Sequence, residues 1–231
     1  MARSLTMTTL IARCKQRSDK EQDGQIGGLD TTEWESLISA AYGEMYMLVA
    51  EQGSRYFETE AAITITGATS YALPTDHLAT LAVDRVTDAA GRRQPLIEVM
   101  PQERTTVLGR TGAADEFALV GSTIELYPAP ASGTYKHIYI PQPTDLSGSS
   151  GATSVDLINV YGQEFVVWTV KLMALDKSES DVRVAMNRIE RAGEGLRQWA
   201  QIRSFNTPRR QMALGGNADD DRGYRRRRSY P

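Results

Sequence analysis

Two histidines and one cysteine are the side chains of this 231-residue sequence best suited to acid–base or nucleophilic work. His77 falls in the turn-like run Pro74-Thr75-Asp76-His77, where Asp76 is better placed to cap backbone N–H groups than to orient an imidazole. His137 lies in the alternating run Tyr135 to Ile140, which reads as a strand. General acid–base catalysis needs a base aimed by a third group in a cleft, and neither setting supplies one, so both histidines are assigned structural or solvent-facing places. A small hydrolase would require one of them to meet a nucleophile in a pocket. Cys14 has no second cysteine to pair with, which excludes an internal disulfide and fits a reducing, cytoplasmic origin. Asp219-Asp220-Asp221 offers three carboxylates in succession, but consecutive side chains point apart and build no cage, so the run is a solvated charge tract. Gly24 to Gly28 lacks the lysine and the strand-to-helix setting of a phosphate loop, and no zinc spacing, nucleophile elbow or dinucleotide fingerprint is present. The expectation is no catalytic residue, no metal and no cofactor.

Charge is unevenly spread. The last 26 residues hold seven Arg against three Asp, a net +4, and the overall −3 therefore leaves −7 on the rest. That basic end, from Asn206 through Arg209-Arg210 to Arg225-Arg226-Arg227-Arg228-Ser229-Tyr230-Pro231, has too little apolar surface to fold alone. Such a tail would also suit a nucleic-acid-binding regulator. The acidic body shows no recognition helix, and such binding would weaken steeply with salt.

The elements that must carry these residues begin with the stretch Asp156 to Phe205. Phe165, Val166, Val167, Trp168, Val170, Leu172, Met173, Ala174 and Leu175 make a helix apolar on almost every side, which must be covered from more than one direction. Its apolar run is about half of the ~20 residues a bilayer requires, and Lys171 interrupts it, so it belongs in a bundle rather than a membrane. A stripe of Val182, Ala185, Met186, Ile189, Leu196 and Trp199 then predicts an amphipathic helix returning antiparallel along the first, with Ser178 and Asp181 at its start. Gly193 and Gly195 in that helix imply close packing, a bend or a loose last turn. Near the start of the chain, Leu5 to Ser18 predicts a short helix, and Asp19 to Gly28 a charged, glycine-rich loop with no secretion signal or anchor ahead of it. Asp30 and Glu33 have capping-box spacing, and Trp34, Leu37, Ile38, Ala41, Tyr42, Met45, Leu48 and Val49 hold helical periodicity over four turns. The expected bundle core is Trp34, Leu37, Ile38, Tyr42, Phe165, Trp168, Leu172, Ile189 and Trp199.

Between the helices the texture changes to short alternating runs. Strands are predicted at Ala61 to Thr66, Leu78 to Val86, Leu96 to Met100, Phe117 to Val120, Thr123 to Tyr127 and Tyr135 to Ile140, with a short helix at Pro101 to Leu108. Gly67 to Ser70 reads as a turn, and Thr144 to Ser154 as a flexible Gly/Ser loop. The implied fold is α+β: an antiparallel helical bundle from residues 1–56 and 155–205, an inserted small antiparallel β domain at 57–154, and an extended arm at 206–231.

The order of these features resembles the head-to-tail adaptor (head completion, portal-tail connector) proteins of tailed bacteriophages. The likeness is carried by Trp34-Glu35-Ser36-Leu37-Ile38, Ala41-Tyr42-Gly43-Glu44-Met45-Tyr46, Tyr56-Phe57, Tyr71-Ala72-Leu73-Pro74-Thr75-Asp76-His77-Leu78, Gly121 to Pro130 and Lys177-Ser178-Glu179-Ser180-Asp181, from about Thr32 to Phe205. It implies a structural, non-enzymatic virion protein at the head–tail interface, assembled in the host cytoplasm into a ring, usually of twelve copies. Such a ring joins portal protein to a tail or nozzle protein and lets double-stranded DNA pass non-specifically. An acidic body suits such a channel, because tight phosphate binding would hold the genome. By analogy of position, the arm would bind the portal through Arg209, Arg210, Met212, Tyr224, Arg225, Arg226, Arg227, Arg228 and Tyr230.

Overall fold

The computed structural model describes residues 4–18, 29–53, 55–100, 111–176 and 182–205. Within them lie four helices: α1 (Met7–Arg17), α2 (Thr31–Glu51), α3 (Val160–Asp176) and α4 (Arg183–Phe205). The strands are β1 (Ser4–Thr6), β2 (Thr59–Ile63), β3 (Ser70–Ala72), β4 (His77–Val86), β5 (Arg93–Pro95), β6 (Ile97–Glu98), β7 (Glu116–Val120), β8 (Thr123–Tyr127), β9 (Thr134–Pro141) and β10 (Ser154–Asp156). The class is α+β, as the sequence implies.

One apolar cluster joins all four helices. Met7, Leu10 and Cys14 of α1, Trp34, Ile38 and Met45 of α2, Val166 and Val170 of α3, and Leu196 and Ala200 of α4 are all almost wholly buried in it. The capping box at the start of α2 is formed: Asp30 Oδ1 accepts from the Glu33 N–H at 2.8 Å, and Glu33 Oε2 from the Asp30 N–H at 3.0 Å. Those two bonds satisfy backbone donors that the first helical turn leaves open. Helices α3 and α4 run antiparallel, since Tyr161 lies against Gly195, Phe165 against Gly193, and Trp168 under Arg188. A Cβ on Gly195 would sit 2.6 Å from the Tyr161 ring, so this glycine marks a close approach rather than a loose turn. At Gly162 a Cβ would meet the Leu157 carbonyl oxygen at 2.2 Å and Met45 Sδ at 2.9 Å, so backbone rather than a movable side chain forbids it.

The β half is two four-stranded sheets, ordered β2-β9-β4-β5 and β3-β8-β7-β6. Val83 and Tyr135 from the first meet Tyr71, Phe117, Ile124 and Leu126 from the second in a separate apolar cluster. The strand expected at Ala61 to Thr66 runs instead from Thr59 to Ile63, and further features depart from the sequence expectation. The stretch Leu96 to Met100 is not one strand: Leu96 N–H turns to the Val83 carbonyl, and only Ile97–Glu98 continues, pairing parallel to β7. Gly67 to Ser70 is not only a turn, because Ser70 begins β3. The first helix begins at Met7 rather than Leu5, since Leu5 belongs to β1, which pairs antiparallel with β10.

That last pairing also corrects the flexible-loop reading of Thr144 to Ser154. Met7 N–H donates to the Thr153 carbonyl at 2.9 Å, Thr8 N–H to the Gly151 carbonyl at 3.1 Å, and Leu146 is buried in the helical cluster. Ser39 Oγ bridges to Asp145 Oδ1 at 2.8 Å and receives the Leu146 N–H at 2.9 Å. Small polar residues here supply turn hydrogen bonds and close contacts instead of freedom. The expected helix at Pro101 to Leu108, the loop Asp19 to Gly28 and the cap at Ser178 and Asp181 lie outside the described residues.

The two halves meet through the end of α2. Tyr46 Oη donates to the Pro141 carbonyl at 2.7 Å, and its ring stacks on Phe57 with centroids 3.8 Å apart. Tyr56 Oη donates to Asp156 Oδ2 at 2.6 Å, while Asp156 Oδ1 accepts the Ile158 N–H at 2.8 Å. Ile158 itself has a φ of 63°, a costly conformation for a β-branched residue, which the Asp156 bond and full burial hold in place.

Candidate functional site

The two histidines, sixty residues apart in sequence, come together because β4 pairs with β9, placing Thr80 opposite Tyr139 and Val83 opposite His137. Thr80 Oγ1 lies 2.9 Å from His77 Nε2 and 2.9 Å from His137 Nε2. One hydroxyl proton cannot serve both, so Thr80 donates to one imidazole and accepts from the other. The rings stack with centroids 5.4 Å apart, and Tyr139 stacks on His137 at 4.9 Å. Burial, and then the neighbouring His77 charge, push His137 down to about 4; burial also lowers His77, against the opposing charge of Asp76. Both are therefore neutral near pH 7.

This constellation is poorly disposed for catalysis. Asp76, the carboxylate that could orient an imidazole, accepts from Tyr139 Oη at 3.0 Å, and the Thr80 hydroxyl is engaged on both sides. His137 borders a cavity of about 260 Å³ together with Ala61, Ile63, Thr64, Tyr71 and Ile124, a lining without cysteine, serine or carboxylate. Its Nδ1 is buried without a partner, as is Tyr71 Oη. Cys14 is buried in the helical cluster, and burial pushes its thiol up to about 12, far from a reactive thiolate. Among the described residues no group of three His, Cys, Asp or Glu side chains is arranged to hold a metal ion. No helix among them is long and apolar enough to cross a membrane.

The surfaces of the helical half carry more information. Trp168 is buried, yet it stands outside the apolar cluster, on the face of α3 turned roughly 160° from Val170 at about 100° per residue. Its cover is cationic: Lys171 Nζ, Arg17 Cζ and Arg188 Cζ lie 5.1, 5.7 and 5.9 Å from the ring centroid, and Glu164 Oε2 accepts from Nε1 at 2.9 Å. Beside it a groove of about 290 Å³ runs between α1 and α3, lined by Arg13, Gln16, Arg17, Gln163, Glu164 and Val167. On the far side of the core, α2 exposes Glu33, Ser36, Ala40, Glu44, Met47 and Glu51 along one stripe and contains no Lys or Arg.

A family profile described as SU10 adaptor protein matches residues 5–214. The chain belongs to the SU10 adaptor family. The sequence resemblance to head-to-tail adaptors agrees with it, and the role that membership carries is structural. A chain from the neck of an empty GTA particle, computed with C6 symmetry, is similar over 83% of this chain and 94% of its own, at 18% identity and a TM-score of 0.28. No curated protein matches the sequence.

In this SU10 adaptor chain the residues expected to bind a portal, Arg209, Arg210, Met212, Tyr224, Arg225, Arg226, Arg227, Arg228 and Tyr230, lie outside the described residues. Of the expected bundle core, Trp34, Ile38 and Phe165 are buried in the helical cluster, and Leu37, Tyr42, Ile189 and Trp199 pack against it half-buried. Leu172 is half-buried, and Trp168 is buried beneath its cations. Sequence reasoning placed Trp168 by its apolar neighbours and missed the cationic shell. The available signal was compositional: α1 carries Arg13, Lys15 and Arg17 with no acid, whereas α2 carries four Glu with no base.

Proposed function

We propose that this SU10 adaptor chain is a subunit of a ring, of about twelve copies by the family resemblance, that joins the portal vertex of a phage head to its tail. Double-stranded DNA would pass through the ring without specific contacts. The observation that carries the reading is the family match over residues 5–214, nearly the whole chain. In this proposal residues 1–56 with 155–205 form the ring body, 57–154 faces the tail or nozzle protein, and 206–231 reaches the portal. The described residues supply what a passive connector needs, a helical body tied to a β half by the Tyr46–Pro141 hydrogen bond and the Tyr46–Phe57 stack.

The arm is assigned to the portal because seven arginines present planar forks to carboxylates of another protein, with Met212, Tyr224 and Tyr230 as apolar anchors between them. Repeated around a ring, individually weak arms gain avidity. The competing use of Arg225 to Arg228 is contact with DNA phosphates. Deleting residues 217–231 and measuring docking onto DNA-free portals separates them. The portal reading expects docking to be lost; normal docking with weakened DNA binding would transfer the arm to DNA.

A further inference from the structure

We propose that neighbouring copies in such a ring meet through two different faces of the helical half: the acidic stripe of α2 on one copy docks on the cationic shell over Trp168 on the next. This rests on the ring reading and goes beyond it by naming the surfaces.

Among the described residues the charges of the shell have no ion-pair counterparts. Arg17, Lys171 and Arg188 have no carboxylate within ion-pair reach among the described residues, and the one acid in their midst, Glu164, is held by Trp168 Nε1. Trp168 fixes these flexible side chains over one ring, so part of their ordering cost is met before any partner arrives. The opposite face repeats the pattern with the sign reversed. Glu44 and Glu51 have no cation within reach among the described residues, and Met47 between them is 38% exposed. Val184, 61% exposed and one turn before Arg188, gives the cationic side a comparable apolar element. Glu190 and Glu194 of α4 point roughly 120 to 160° away from Arg188 and leave the shell cationic.

A second copy is the occupant because the chain itself carries the complementary acidic face. Each stripe points away from the core that α2 and α3 share, so one chain cannot close its own two faces on each other. It can offer them in opposite directions. Contact between two unlike faces is heterologous, and repetition of such a contact closes into a ring when the rotation permits. An isologous pairing would set like charges together.

The test uses two variants of the full chain, R17E/R188E and E44R/E51R, with wild type, each confirmed as folded by its thermal midpoint. Assembly is read by sedimentation velocity, alone and on DNA-free portals, at low salt and at 0.5 M salt. The expected result is ring-sized wild-type assemblies weakened by salt, at least tenfold weaker association for either variant, and recovery when the two are mixed. Recovery arises because the reversed faces complement one another, which a merely misfolded variant cannot reproduce. Assembly of each variant equal to wild type overturns the assignment of faces, as does a mixture that fails to recover. Loss of DNA binding by R17E/R188E with assembly intact would assign the shell to phosphates and also overturn it. Wild type that forms no ring in either setting fails the ring reading itself, a distinct outcome.

Discussion

The helical half buries Ser18, Glu35, Gln163 and Thr169 beside an apolar cluster that holds no imidazole, whereas the β half buries His137 and Asp84 beside its own. The helical cluster is packed by Trp34, Ile38, Met45, Val166, Val170 and Leu196, and its close spacing is set by shape at Gly162 and Gly195. The β half encloses fully buried Asp84 and nearly buried His137 beside its apolar cluster, and ties its strands with the Thr80 bridge and the Tyr139–Asp76 bond. The apolar contacts of the helical cluster are insensitive to pH, whereas a buried imidazole must stay neutral. The difference predicts that the two halves respond to different insults, core truncation in one and acid in the other.

The largest expected effect is in the helical half. Trp34 is 2% exposed in the middle of the cluster, so Trp34→Ala should cost about 3 to 5 kcal/mol through lost burial and the cavity left behind. Urea unfolding at pH 7.5 measures it. A loss below about 1 kcal/mol would mean that the core collapses freely around the gap and is not shape-determined.

In the β half the effect is conditional on pH. The unfolded chain takes up a proton at His137 near 6.5, whereas the folded chain resists until about 4, so between those values the unfolded state binds more protons. Stability is thus unpenalised above pH 6.5 and falls as pH drops toward 4, by on the order of 1 to 2 kcal/mol after discounting for solvent screening. A second loss lies lower. Hydrogen bonds from Arg93 and Lys136 hold Glu60 down to about 2, so its stabilisation is present above 4.5 and disappears as pH falls toward 2. Urea midpoints of wild type and His137→Phe at pH 7.5 and 5.0 isolate the first window. The variant should lose most of the difference between the two values; an undiminished difference would place the acid sensitivity elsewhere.

The same contrast explains what could be read in advance. Helical periodicity identified α2 through eight apolar positions, and Asp30 with Glu33 announced its capping box, because both signals are local in sequence. Leu5 pairing with Val155, and Thr80 joining His77 to His137, depend on chain segments that meet only after folding. The Gly/Ser composition of Thr144 to Ser154 was legible, but its hydrogen bonds to Ser39, Met7 and Thr8 were not. Trp168 was legible as buried, though not as roofed by Arg17, Lys171 and Arg188, since three cations from three helices leave no periodic trace.

Trp168→Ala has an expected effect on stability no larger than that of the acid window, and it is the sharpest division within the helical half. An interior tryptophan costs about 3 to 5 kcal/mol on truncation because rigid neighbours hold the cavity open. The neighbours here are long cationic side chains with exposed ends at Arg17 and Arg188, which can fold inward over the gap and regain water. What is lost is the Nε1 bond to Glu164, the cation–π attraction and part of the burial, together about 1 to 2 kcal/mol. A cost equal to that of Trp34→Ala would show that the ring is core in the same sense. Freed of the ring, the cations lose their fixed placement and Glu164 is released among them, so association of copies should weaken by a larger factor than fold stability. Comparing urea midpoints with sedimentation for Trp168→Ala and Trp34→Ala therefore tells a ring that organises a surface from one that fills an interior.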